Sequence, residues 1–78
     1  MSKSEALAWI AGIFDQPADA ISPETSRDQI ETWDSIGTLT LMAELDERFD
    51  LTVDEEVLAG LDSIGSLLKM LEDHGLVG

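Results

Sequence analysis

The residues of this chain best suited to chemistry are two serines, each set in the same tetrapeptide, Asp-Ser-Ile-Gly. The first copy spans residues 34–37 and the second spans residues 62–65. A serine hydroxyl can act as a nucleophile when a neighbouring base activates it, or it can carry a covalently attached group. It can also cap a helix, because its oxygen accepts a hydrogen bond from a free backbone N–H group. Both copies stand where helices are predicted to begin, so local sequence alone favours the capping role for each serine.

Catalysis by either serine is disfavoured because the chain has few groups that could act as a base. The only histidine, His74, lies near the C-terminus, and the only lysines are Lys3 and Lys69. A serine nucleophile of the hydrolase type needs a base held within hydrogen-bond reach. The acidic stretch 46–56 lacks the alternating ligands and central glycine of an EF-hand calcium loop. We therefore expect neither an enzyme nor a metal site.

The charge balance limits the partners that this chain can bind. Seventeen Asp and Glu residues against four Lys and Arg residues give a formal net charge of -13. Such a field repels nucleic acid and disfavours anionic lipid surfaces, whereas it attracts partners with basic patches in a salt-dependent way. The N-terminal residues do not resemble a signal peptide, and no apolar run approaches the ~20 residues that cross a bilayer. The sequence thus predicts a cytoplasmic protein without a membrane span.

Helices are the elements that must position these serines. The chain of 78 residues is long enough for one domain, 1–78, and it has no cysteine to form a disulfide. Apolar residues recur at the spacing of one helical face in three segments, and a short acidic segment adds a fourth. The predicted helices cover residues 5–14, 35–49, 54–59 and 64–73. The predicted fold class is therefore all-α, a bundle of three longer helices plus one short helix.

The sequence leaves open which residue caps each of the longer helices. Each longer helix has two candidate N-caps: Ser2 or Ser4, Asp34 or Ser35, and Asp62 or Ser63.

The connection 15–33 between the first two helices is long for a compact domain, and such loops are often functional. We expect its isolated apolar residues to hold it on the core; they are Ile21, Ile30 and Trp33.

From about Trp33 to Leu71 the chain resembles an acyl carrier protein. Residues 34–36, Asp-Ser-Ile, stand where that family has its Asp-Ser-Leu-like motif, after the long first loop and at the start of the second helix. The acidic run 39–50, which ends in Phe-Asp, resembles the family's second helix. Residues 53–56 resemble the approach to its short third helix, and the apolar stripe of the last helix matches without a gap.

The resemblance implies that Ser35 carries 4′-phosphopantetheine derived from coenzyme A, with Asp34 and Ile36 flanking the attachment point. The same alignment makes Ser63 a helix cap. The arm would hold acyl or aminoacyl intermediates as thioesters and present them to partner enzymes. The implied partners are a phosphopantetheinyl transferase, an acyl or aminoacyl ligase and downstream transferases with basic docking surfaces. The expected partner-recognition residues lie on the second helix; they are Leu39, Ala43, Glu44, Asp46 and Glu47.

Departures from the family pattern favour a specialised carrier. Gly37 and Thr40 replace acids that carriers of fatty-acid synthesis commonly show, and the Gly-Thr pair is similar to D-alanyl and other aminoacyl carriers. Trp33 either contacts the arm or anchors the loop, and we favour the anchor. The alternative function is an unmodified acidic helical adaptor. In either case a monomer is expected.

Overall fold

The computed structural model describes residues 1–78 and contains four α-helices and no strand. The all-α fold of three longer helices and one short helix is confirmed. The second and fourth helices begin and end at the predicted residues, whereas the first begins two residues earlier than predicted and ends one earlier, and the short third begins one later. The helices are α1 (Lys3–Ile13), α2 (Ser35–Phe49), α3 (Glu55–Ala59) and α4 (Ile64–Asp73).

The early start of α1 follows from its cap. Ser2 is the N-cap, and the Glu5 N–H donates to the Ser2 hydroxyl oxygen at 3.1 Å. In return the Ser2 N–H donates to the Glu5 carboxylate at 3.0 Å, which completes a capping box. That backbone donor, followed by the Ser2 hydroxyl, lowers the pKa of the Glu5 carboxyl. Ser2 rather than Ser4 therefore fixes where the first helix begins.

The core lies between the helices and draws on all four of them. Seventeen buried apolar residues form one cluster. The largest fully buried side chains are Ile10, Phe14, Leu41, Leu45, Leu58, Ile64, Leu67 and Leu71. Three residues of the predicted stripes are only half-buried: Leu7, Met42 and Phe49. Phe49 instead meets Trp9 edge-to-face, with ring centroids 5.4 Å apart, where the end of α2 lies beside α1.

The connection between α1 and α2 is ordered and fastened to the rest of the molecule. It contains two short 3-10 turns, Ala18–Ala20 and Arg27–Gln29. The Arg27 N–H donates to the Asp62 carbonyl at 2.8 Å, and the Arg27 guanidinium donates to the Ala59 carbonyl at 3.1 Å. The apolar residues predicted to hold this segment on the core are buried: Ile21, Ile30 and Trp33.

Trp33 anchors the end of this connection. Only 4% of its surface is exposed, and its ring stacks on Phe14 with centroids 5.0 Å apart. The Arg27 guanidinium lies 5.6 Å from the centroid of the Trp33 ring, within cation–π range. These contacts hold Trp33, the residue before Asp34, on the core and so fix the position from which the chain enters α2.

None of the helices combines the length and apolar character needed to cross a membrane.

Candidate functional site

The start of α2 leaves the hydroxyl of Ser35 unused by the fold. Asp34 is the N-cap, and its carboxylate accepts a hydrogen bond from the Gly37 N–H at 3.0 Å. Ser35 is the first helical residue and is exposed to solvent. Because the acid supplies the cap, the serine hydroxyl takes no part in it. Of the two cap candidates left open by the sequence, the structure selects Asp34.

Gly37 locks this helix start against the connection and the end of α1. It is buried, and a Cβ placed on it would overlap the Thr32 carbonyl oxygen and lie 3.1 Å from the Phe14 ring. The Thr32 hydroxyl in turn donates to the Phe14 carbonyl. Only glycine permits so close an approach. Gly37 thus faces the interior, so close packing accounts for the glycine that the sequence analysis took as a sign of a specialised carrier.

The second tetrapeptide is arranged differently. Ser63 is the N-cap of α4, and its hydroxyl oxygen accepts from the Ser66 N–H at 3.1 Å. The Ser66 hydroxyl oxygen accepts from the Ser63 N–H at 3.1 Å, so the two side chains close a capping box. The Ser63 backbone also pairs with Ser26 as an isolated antiparallel bridge. Ser63 is therefore half-buried and engaged on both its side chain and its backbone.

Three large apolar side chains are exposed on α2 and α3. Ile36 is 74% exposed and Leu39 is 58% exposed on α2, while Val57 on the neighbouring α3 is 46% exposed. Val57 was missed by the sequence interpretation. The sequence could have predicted this exposure, because Val57 and Leu58 are adjacent on a short helix and only one of them can face the core.

The predicted partner-recognition residues do not all lie on one face. Leu39, Ala43, Asp46 and Glu47 are exposed at helical spacing on α2. Glu44 is half-buried and lies toward α1, where it lines a groove with Trp9. The structure therefore brings four of these residues together and sets Glu44 on the α1 side.

The residues at the α2 start fit a phosphopantetheine group. A serine ester of phosphate needs an accessible hydroxyl, which Ser35 offers, and an environment that tolerates negative charge. The first turn of α2 contains no acid, and the N–H groups of Ser35 and Ile36 have no partner within the helix. Helix N-termini carry partial positive charge and bind phosphate. The chain itself has no cysteine, so a thiol must come from an attached group.

Comparisons with known proteins agree with this geometry. The sequence model of a family described as the phosphopantetheine attachment site matches residues 5–71. The fold is similar to the solution structure of a holo acyl carrier protein from Geobacter metallireducens, with a TM-score of 0.69 and 25% sequence identity. That match covers 90% of this chain and 82% of the other. The chain therefore belongs to the phosphopantetheine attachment-site family and is a carrier protein of the acyl carrier type, whose prosthetic group is covalently attached 4′-phosphopantetheine.

Proposed function

We propose that Ser35 is the attachment residue and that the chain uses it to carry acyl or aminoacyl intermediates between enzymes. One observation supports this assignment above the others. Of the two serines in identical tetrapeptides, only Ser35 is exposed and free of the helix cap, whereas Ser63 is bonded to Ser66. A transferase needs a hydroxyl that it can reach on a backbone that does not move. Ser35 meets both needs because Asp34 and Gly37 fix the turn that bears it.

When attached, the prosthetic group supplies the thiol on which cargo is held as a thioester. The chain's own residues orient the attachment point and favour its charge. The N–H groups at the α2 start interact favourably with a phosphodiester on Ser35. Asp34 is occupied by the Gly37 N–H, which lessens its repulsion of that phosphodiester. Ile36 stands beside the attachment point with three quarters of its surface exposed, where a modifying enzyme can contact it.

Partner enzymes would dock on the exposed face of α2. Ile36 and Leu39 give this face an apolar centre, and Asp46 and Glu47 give it an acidic end. A complementary partner has an apolar patch bordered by Lys or Arg. Apolar contact supplies affinity, while the opposite charges steer the encounter. Such partners are a phosphopantetheinyl transferase, an acyl or aminoacyl ligase and downstream transferases.

A specialised pathway is still supported, but by Thr40 alone rather than by Gly37 and Thr40 together. Gly37 is explained by packing, so Thr40 is the remaining exposed departure from the pattern of fatty-acid carriers. Its hydroxyl donates to the Ile36 carbonyl at 3.0 Å, which leaves a neutral surface where those carriers commonly present an acid. This surface suits partners other than the enzymes of general fatty-acid synthesis. We place the protein in the cytoplasm as a monomer.

The direct test is the mass of the protein before and after treatment with coenzyme A and a phosphopantetheinyl transferase. We expect a gain of one phosphopantetheine, located by peptide mass analysis to the fragment that contains Ser35. Protein purified from its native host should carry the same addition. A modification mapped to Ser63 would contradict the assignment. An unmodified native protein that still binds a basic partner would favour the adaptor function instead.

A further inference from the structure

The short helix α3 has few contacts of its own to hold it in place. It consists of five residues, too few for a helix to be stable without support from the rest of the molecule. Leu58 is its only buried residue, and its N-cap, Asp54, makes no capping hydrogen bond through its side chain. One buried side chain does not by itself fix how a helix is turned about its axis. A second attachment is therefore needed.

Arg27 provides that second attachment from the connection between α1 and α2. Its guanidinium donates to the Ala59 carbonyl at 3.1 Å and, at a longer 3.5 Å, to the Leu61 carbonyl. Neither carbonyl accepts a hydrogen bond from a backbone N–H group. The carbonyl end of a helix carries partial negative charge and lacks partners within the helix, so a cation is favourable there. Arg27 thus bonds the groups at which α3 ends.

The same residue also contacts the segment that leads into α2. The Arg27 guanidinium lies 5.6 Å from the centroid of the Trp33 ring, and Trp33 stands two residues before Ser35. The Arg27 N–H donates to the Asp62 carbonyl at 2.8 Å. A planar guanidinium can lie against an aromatic ring and donate several hydrogen bonds at once, which suits it to this position. Arg27 therefore connects the end of α3 with the segment that positions Ser35.

The side chain that α3 presents to solvent is apolar. Val57 is 46% exposed. The other large apolar side chains that are exposed are Ile36 and Leu39 on α2, the helix that α3 contacts. Val57 lies two residues before Ala59, or about 3 Å along the helix axis. Because Arg27 bonds the Ala59 carbonyl, a rotation or shift of α3 that breaks this bond also moves Val57.

We propose that Arg27 is a positioning residue: by bonding the end of α3, it holds Val57 in place for an enzyme that acts on Ser35. This rests on the proposal that Ser35 is the attachment residue. Attachment requires a phosphopantetheinyl transferase, whose apolar contact with Ile36 and Leu39 then extends to Val57. Burial of a further apolar side chain adds affinity without entering the chemistry. Loss of Arg27 therefore weakens docking and leaves the Ser35 hydroxyl as reactive as before.

The test measures how fast a phosphopantetheinyl transferase modifies the full-length protein with coenzyme A as the concentration of the carrier is varied. Arg27→Gln should raise KM for the carrier by about three- to tenfold and leave kcat within about twofold, because it removes binding and not chemistry. Val57→Ala should have the same effect. The double variant should show the KM of Val57→Ala alone, because Arg27 acts through Val57.

The matched control is Lys69→Gln, which removes the same charge from an exposed position on α4. It should leave KM and kcat unchanged, which separates the contact that Arg27 makes from its charge. Hydrogen exchange measured by NMR supplies a second readout. In Arg27→Gln the backbone amides of α3 should exchange faster than in the parent protein, while those of α2 and α4 keep the parent rates.

Several results would overturn the inference but not the proposed function. They are an unchanged KM or a lowered kcat in either single variant, a double variant whose KM rises by the product of the single effects, and α3 amides that keep their parent exchange rates in Arg27→Gln. Faster exchange throughout α2 and α4 would also overturn it, because Arg27 would then support the whole fold rather than α3. If the parent protein gains no phosphopantetheine at Ser35, the proposed function is wrong, and the inference with it.

Discussion

The two Asp-Ser-Ile-Gly segments begin two helices in registers that differ by one residue. At α2 the acid, Asp34, is the N-cap, whereas at α4 the serine, Ser63, is the N-cap. As a result Ile36 is 74% exposed, but its counterpart Ile64 is fully buried. The same four residues therefore yield an accessible hydroxyl in one place and an engaged one in the other. What decides the outcome is the structure around each segment.

The surroundings of α4 account for its register. The Ile64 N–H donates to the Thr25 carbonyl, and the Gly65 N–H donates to the Pro23 carbonyl, both at 2.9 Å. The α1–α2 connection thus supplies partners for N–H groups that a helix start leaves free. With these donors satisfied, Ser63 completes the cap by accepting from Ser66.

At α2 no other segment reaches the helix start in this way. The Gly37 N–H is satisfied by Asp34 within the same turn, and Gly37 rather than Ile36 faces the interior. The residue after each tetrapeptide shows the same contrast. Ser66 closes a capping box, while Thr38 is 6% exposed with its hydroxyl unpartnered. Because the N-cap of α2 is the acid of its tetrapeptide rather than the serine, the Ser35 side chain takes no part in capping the helix.

The largest difference in the free energy of unfolding is expected between alanine variants of the two isoleucines, Ile36 and Ile64. Ile64→Ala should lower the free energy of unfolding by about 2–5 kcal/mol, because it empties a fully buried site. Ile36→Ala should change it by no more than about 0.5 kcal/mol, because Ile36 is mostly in solvent. Urea unfolding followed by circular dichroism measures both. Equal losses would show that the two registers are not as different as described.

The glycine of the first segment provides the next test. Gly37→Ala should destabilise the fold by about 1–3 kcal/mol, since the new Cβ overlaps the backbone carbonyl of Thr32. Gly12→Ala is the matched control: it lies in a helix with open space around it and should stabilise by up to about 1 kcal/mol. Thermal unfolding of both variants gives the comparison. A neutral Gly37→Ala would mean that the start of α2 is not held against Thr32.

Four alanine variants sharpen the difference in caps. Asp34→Ala and Ser63→Ala should each lower stability by about 1 kcal/mol, because each removes an N-cap. Asp62→Ala and Ser35→Ala should lie within about 0.5 kcal/mol of the parent, because neither side chain caps its helix. Chemical unfolding of the set distinguishes the registers. A larger loss for Ser35→Ala than for Asp34→Ala would reverse the assignment at α2.

Much of the fold was predictable from local pattern, while the register of the caps was not. The apolar stripes of α2 and α4 are long enough to define both ends of each helix, and Ile21, Ile30 and Trp33 were identified as anchors because they are isolated in a polar segment. The choice between Asp34 and Ser35, however, depends on which carbonyl groups of a distant segment reach each helix start. Gly37 was misinterpreted for the same reason, since its neighbour Thr32 is part of that packing.

The account depends most on the difference between Ser35 and Ser63, which one mass measurement tests directly. Ser35→Ala and Ser63→Ala are treated in parallel with coenzyme A and a phosphopantetheinyl transferase, and their intact masses are compared. We predict no gain for Ser35→Ala and a gain of one phosphopantetheine for Ser63→Ala. A gain in Ser35→Ala, or its loss in a folded Ser63→Ala, would contradict the assignment.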